Sequence, residues 1–133
     1  MKLTSRSEYA LLALLALSRH EPGVFISGEA IATEQGIPPK FLQQIFLVLK
    51  HGRYVQSSKG QRGGYRLAKP PEMITLAEIV RLFDGALAPT ESVSRYFYES
   101  TPVEKETKLV GVFREIRDYV ADRLEKTTLA DVR

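Results

Sequence analysis

Apolar positions recur along this chain at helical spacing in some stretches and at strand spacing in others, and the changes of period mark its elements. Every residue from Tyr9 to Leu17 is apolar. A first helix, capped at Ser5 or Ser7 and running to about His20, therefore carries an apolar surface around nearly its whole circumference and requires burial on more than one side. We expect something besides its own domain to cover it. Pro22 and Gly23 end that helix, Val24-Phe25-Ile26 reads as a short extended piece, and Ser27 starts a second helix that runs to about Gln35 and stops at Gly36. Ile37 and Pro38-Pro39 form a turn. A third helix follows from Pro39 to about His51, with proline at its start, where the missing N–H would be unpaired anyway. Leu42, Ile45, Phe46 and Leu49 fall at i, i+3, i+4 and i+7 and predict its buried stripe; Lys40, Gln43 and Gln44 lie off it.

Beyond Gly52, Arg53–Ser57 and Gly64–Ala68 read as two strands of a hairpin. Thr75 caps a fourth helix with Leu76, Ile79, Val80 and Phe83 facing inward, ending near Asp84-Gly85. Residues 86–103, with their prolines, serines and threonines, predict an ordered but irregular connector. The run Tyr96-Phe97-Tyr98 within it is expected to pack on the core or on a partner subunit. From Pro102 or Glu104 to Lys126 the spacing predicts a long helix whose stripe is Leu109, Val112, Phe113, Ile116, Val120 and Leu124. A helix of that length leaving a completed domain needs a partner helix, so these six residues are the candidate dimer contact; a second copy would also cover the first helix. The fold class is mainly α with a small β-hairpin wing. Its organisation is a domain of four helices and the hairpin at residues 1–85, a connector at 86–103, and a dimerisation helix with its tail at 104–133.

Two short helices joined by a glycine-bearing turn match the helix-turn-helix pattern, in which the second helix enters the major groove. Lys40, Gln43 and Gln44 are then candidates for base or phosphate contact, since glutamine can pair with adenine N6 and N7 and lysine can reach guanine or a phosphate. The segment Lys59-Gly60-Gln61-Arg62-Gly63-Gly64-Tyr65-Arg66-Leu67 places three cations and three glycines in a tight reversal. Glycine permits the positive φ of a hairpin tip and a close approach to phosphate, while the cations attract it. Lys59, Gly60, Arg62 and Gly63 are the candidate wing contacts. The loop lacks the GxxxxGK[ST] spacing and does not join a strand to a helix, which argues against a nucleotide-binding loop.

Charge sharpens this picture. The net charge is +3, but residues 1–70 hold ten Lys/Arg against four Asp/Glu, and residues 71–133 hold nine against twelve. Only the first half is prepared for a polyanion. At 133 residues and 44% hydrophobic the chain can bury a core. Its longest apolar run is about half the roughly 20 residues a membrane span requires, and no signal-peptide pattern follows it, so no membrane association and a cytoplasmic location are expected. With no cysteine, disulfides, thiolate nucleophiles and thiolate metal ligands are excluded.

No catalytic constellation is evident, and neither an enzyme, a metal site nor a cofactor is expected. His20 and His51 sit near helix C-termini, where a partly positive imidazole meets a favourable dipole, and neither has a carboxylate or second histidine at ligand spacing. The acid pairs Glu104 and Glu106, and Asp118 and Asp122, are accounted for by solvated i, i+4 salt bridges. The expected activity is sequence-specific binding of double-stranded DNA by a homodimeric regulator, most simply a repressor. The alternative is a winged helix that docks an acidic protein surface or senses a small ligand without touching DNA; an enzyme acting on phosphorylated substrates is a third and weaker reading.

The opening Met1-Lys2-Leu3-Thr4-Ser5 with Tyr9-Ala10, the segment Ile31-Ala32 to Gly36-Ile37, Phe41-Leu42-Gln43-Gln44-Ile45, Gly60 to Tyr65-Arg66-Leu67, and Thr75-Leu76-Ala77-Glu78-Ile79 resemble the Rrf2 family of bacterial transcription regulators over nearly the whole chain. The resemblance implies a winged helix-turn-helix homodimer on a near-palindromic operator, with a long C-terminal helix crossing between subunits. By position it puts Lys40, Phe41, Gln43 and Gln44 on the recognition helix and Lys59, Gly60, Arg62 and Gly63 on the wing. Iron–sulfur members of that family hold their cluster with three connector cysteines, whereas this chain has Ser92 and Ser100 near those places. A hydroxyl is not ionised near neutral pH and is a poor soft-metal ligand, so a cysteine-bound cluster cannot form. The resemblance then implies a regulatory protein or a small-molecule effector as the signal.

Overall fold

A computed structural model describes all of residues 1–133. In chain order the elements are α1 (Ser5–Ser18), α2 (Gly28–Gln35), α3 (Pro39–His51), β1 (Val55–Ser58), β2 (Gly64–Leu67), α4 (Leu76–Asp84), α5 (Thr107–Glu125) and α6 (Leu129–Val132). Single 3-10 turns lie at Pro71–Met73, Glu91–Val93 and Pro102–Lys105. No helix is long and apolar enough to cross a membrane.

The cap of α1 is Thr4 rather than Ser5 or Ser7. Thr4 has the extended backbone a cap requires and accepts from the Ser7 N–H, while the buried Ser7 hydroxyl donates to Asp84 at 2.6 Å and so ties the start of α1 to the end of α4. The all-round apolar surface of α1 makes it the central helix. Its alanines, Ala10, Ala13 and Ala16, are fully buried and let α2, α3, α4, α6 and β2 pack closely around it. Elements of residues 1–85 cover much of α1, and α6 from outside that range covers it further, as its all-round apolar surface led one to expect; Tyr9, Leu11, Leu12 and Leu15 stay half-buried.

Local signals place the next elements. The Ser27 hydroxyl accepts from the Ala30 N–H, Gly36 closes α2 in the left-handed conformation, and Leu42, Ile45, Phe46 and Leu49 are all buried on α3. Thr75 and Glu78 form a reciprocal capping box at the start of α4. Ala77 joins Ile79 and Val80 on the buried face of α4, with Leu76 and Phe83 only half-buried. In the hairpin, Val55 pairs with Leu67 and Ser58 with Gly64. Ile26 adds a bridge on the far side of β2, exchanging two N–H···O bonds of 2.8 Å with Tyr65.

The C-terminal segment differs from expectation in three ways. First, α5 starts at Thr107, after a 3-10 turn and the extended Glu106. Second, the expected α5 stripe divides. Phe113 and Leu124 pack within the chain together with the buried Val110 and Ala121, whereas Leu109, Val112 and Ile116 are 43–51% exposed and Tyr119 is 75% exposed. Val120 lies half-buried between the two groups. Third, the chain returns after α5: Thr128 bridges to Thr75, and Leu129 is fully buried in the main core beside Ile74.

The connector aromatics do not pack on the core of this chain. Tyr96, Phe97 and Tyr98 are 43–69% exposed, because Leu87, Ala88 and Val93 supply the buried anchors of this segment instead. Arg81 lies over the Tyr96 ring at 4.6 Å, and the Tyr98 hydroxyl donates to Glu104.

Candidate nucleic-acid interface

Two glycines shape the wing by steric necessity. A Cβ on Gly63 would fall 2.2 Å from the Ser58 carbonyl oxygen, and one on Gly64, whose φ is 146°, would fall 2.1 Å from that of Ile26. Gly60 has φ 98° and forms the tip turn by accepting the Gly63 N–H. The Tyr65 ring stacks on Phe46 at 3.8 Å and 8°, fastening β2 to the buried side of α3. The hairpin and α3 are therefore packed against each other.

Of the candidate contacts, Lys40, Gln43 and Gln44 are exposed on α3, and Lys59, Gly60 and Arg62 are exposed on the tip, whereas Gly63 is half-buried. Phe41 differs from these: it is half-buried and meets Tyr9 edge-on at 5.4 Å, so it packs the rim of the core instead of standing free. Arg66, the third cation of the wing segment, is likewise occupied. Its guanidinium donates to Gln56 and to the Gly23 carbonyl and lies 4.3 Å from the Phe25 ring, binding the 23–25 loop to the hairpin. Leu47, 60% exposed, lies four residues beyond Gln43 and three beyond Gln44, on the same side of α3. Its signal in the sequence was an apolar residue displaced from the buried stripe.

Ion pairing separates the two halves of the chain. Every Lys or Arg in a salt bridge, namely Arg81, Arg95, Arg117 and Arg133, belongs to residues 71–133. In residues 1–70 the His20 imidazole lies 3.5 Å from the Glu34 carboxylate, which supplies the acid that spacing along the chain did not. No Lys or Arg of the first half is thus neutralised by a carboxylate of this chain.

Three of the four acids of α5, Asp118, Asp122 and Glu125, are engaged across the structure, not along the helix by i, i+4 pairs. Arg95 of the connector reaches Asp118, Asp122 and Glu125, while Arg81 of α4 bonds Glu125 at 2.6 Å. Arg117 pairs with its neighbour Asp118 and donates to the Val93 carbonyl. Hydrogen bonding from Arg81 holds the Glu125 carboxyl below the usual range, and bonding from Arg117 does the same for Asp118. A carboxylate with a lowered folded pKa contributes stability above its unfolded value and loses it as pH falls through the folded one. The thermal midpoint of the protein is therefore expected to drop more steeply below about pH 4 than that of Arg95→Ala, measured by circular dichroism. Equal slopes would detach Arg95 from the acid response.

The Tyr98 and Ser100 hydroxyls likewise hold the Glu104 carboxyl below the usual range. At the opposite end of α4, burial and then the adjacent Glu78 push the Tyr54 phenol up to about 12; its O–H donates to Glu78 and locks α4 against the α3–β1 corner.

The donor set does not suit iron. The chain has no cysteine, and no group of three His, Asp or Glu side chains is placed to hold a metal ion. Ser92 exchanges hydrogen bonds with Thr90 and Thr101, and Ser100 donates to Glu104.

Residues 3–133 match the family described as Rrf2, iron-dependent transcriptional regulator. The chain is 37% identical to a candidate HTH-type transcriptional regulator of Mycobacterium tuberculosis, over 99% of this chain and 81% of that one. It is 28% identical to the HTH-type transcriptional regulator CymR of Bacillus subtilis over 99% and 89% of the respective lengths. Among solved structures, CymR, the global cysteine regulator of B. subtilis, superposes with a TM-score of 0.80 at 26% identity, covering 99% of this chain and 95% of that one. T. potens IscR superposes at 0.75 with 27% identity, covering 98% and 85%.

Proposed function

From the premise that this chain belongs to the Rrf2 family of DNA-binding transcriptional regulators, we propose that it is a homodimeric repressor of the cytoplasm that reads a near-palindromic operator through α3 and the hairpin wing. The observation that carries this reading is the combination of an outward α3 face bearing Lys40, Gln43 and Gln44 with a wing tip whose Lys59 and Arg62 have no partner in the protein. Two wings and two recognition helices on one duplex require twofold pairing, and the open α5 face of Leu109, Val112, Ile116 and Tyr119 suits a second copy. In this division, residues 1–85 with Leu129 form the DNA-binding unit, 86–103 the connector and 104–126 the dimer helix. Catalysis has no part in it, and the signal is a regulatory protein or a small-molecule effector, not a cysteine-bound cluster.

Arg62→Ala is expected to weaken binding to specific and random duplexes alike, by about tenfold at low salt, and to flatten the plot of log affinity against log salt by about 0.9 for each phosphate it no longer neutralises. Gln43→Ala removes a base contact, so it is expected to cost about 1–3 kcal/mol on the preferred sequence and little on random DNA. Leu47→Ala is expected to act in the same way if its side chain meets a thymine methyl. Fluorescence anisotropy with fragments selected from genomic DNA tests all three. Unchanged affinity of Arg62→Ala on every duplex would remove the wing from the interface.

A further inference from the structure

A second cationic feature lies beside the wing, away from its tip. A cleft of about 680 Å³ between the end of α3 and the base of the hairpin is lined by Lys50, Arg53, Arg66 and Lys69, together with Ser57, and by no carboxylate. None of the four cations takes part in an ion pair. An adjoining larger cleft of about 990 Å³, which shares Arg66, Ala68 and Lys69 with it, differs in that Glu21 and Glu72 offset its basic residues.

Arg53 stands out within this group for its backbone. It is the one non-glycine residue with positive φ, at 64°. Its N–H donates to the Lys50 carbonyl and that of Tyr54 to the Leu49 carbonyl, the paired closure of a helix that glycine favours because an L side chain is strained there. Glycine would close α3 at least as well, so an arginine at this strained position points to a use for its side chain. Lys50 places that use. It follows Gln43 by seven residues, two helical turns or about 10 Å along the same side of α3, comparable with the width of about 12 Å of a major groove. When Gln43 faces base edges, Lys50 comes to the sugar–phosphate wall.

We propose that this cleft is a second phosphate-binding site, in which Lys50, Arg53 and Lys69 hold a DNA backbone phosphate flanking the groove that α3 enters. The proposal rests on DNA binding by α3 and the wing. It adds an anchor that fixes the rotation of the recognition helix in the groove while carrying no sequence information.

The test is an anisotropy titration of a duplex selected from genomic DNA, across a salt series, with the wild type, Arg53→Gly, Arg53→Lys, Lys50→Gln and Arg62→Ala. Arg53→Gly is expected to lower affinity by about tenfold and the salt slope by about 0.9 per protomer, while its thermal midpoint equals or exceeds that of the wild type. Lys50→Gln should follow it in affinity, and Arg53→Lys should retain most of the binding. Weaker binding by Arg62→Ala with unchanged binding by Arg53→Gly would overturn the cleft and leave the wing intact; unchanged binding by both would fail the wing reading as well. If Arg53→Gly abolished inorganic phosphate binding in calorimetry with duplex affinity unchanged, the cleft would belong to a free anion and the proposal would fall.

Discussion

Replacing Ile116 with glutamate is expected to leave a folded monomer that binds a two-half-site operator about 100-fold more weakly than the wild type. The side chain is 44% exposed and lies on one face of α5 with Leu109, Val112 and Tyr119. The residues α5 uses against its own chain, Val110, Phe113, Ala121 and Leu124, lie on an adjoining face, so the substitution spares the intrachain packing. Asp118 and Asp122 occupy a third face, turned toward Arg95. In a twofold contact each glutamate would be buried without a cation, at a cost of several kcal/mol, and symmetry would impose that cost twice. A monomer must then bind each half-site alone, which forfeits the effective concentration that linkage supplies. Sedimentation equilibrium reads the mass, anisotropy the affinity, and circular dichroism the fold. A dimer that persists in Ile116→Glu would move the contact elsewhere, with the half-buried Leu11, Leu12 and Leu15 of α1 the next candidates.

Gly64→Ala is expected to have the largest effect of any single methyl group in the wing, lowering stability by about 2–4 kcal/mol and duplex affinity with it. The added carbon would lie 2.1 Å from the Ile26 carbonyl oxygen, and neither atom can move without parting the two 2.8 Å bonds between Ile26 and Tyr65. Parting them also disturbs the stack of Tyr65 on Phe46 that aligns wing and recognition helix. Gly60→Ala is the control. Its backbone is strained by φ 98°, but the new methyl meets nothing within 4 Å, so a cost of about 1 kcal/mol is expected. Thermal unfolding of the two variants compares them directly, and equal costs would show that the Ile26 bridge gives way freely.

What could be read directly from the chain was local. The α3 stripe, the Ser27 and Thr75 caps, the Gly36 stop and the glycine-rich tip each depend on residues within a few positions of one another, and each reappears in the structure. That Lys40, Gln43 and Gln44 face outward on α3 was legible for the same reason, as polar positions outside a clear apolar period. Arg62 and Arg66 were indistinguishable as two cations of one loop, until folding brought Gln56, Gly23 and Phe25 around the second of them. Arg53 looked like an ordinary strand residue, because its positive φ arises from how α3 terminates against β1.

Helix, turn and wing, and the sign of the charge they carry, follow from the order of the residues alone, since periodicity, capping and charge count are properties of neighbours along the chain. Which apolar residues of α5 serve this chain and which stay open, that Leu129 completes the core, and that Arg95 gathers Asp118, Asp122 and Glu125 were settled only by tertiary packing. Burial and ion pairing join residues tens of positions apart, and an amphipathic period records that a face is apolar without recording what it meets.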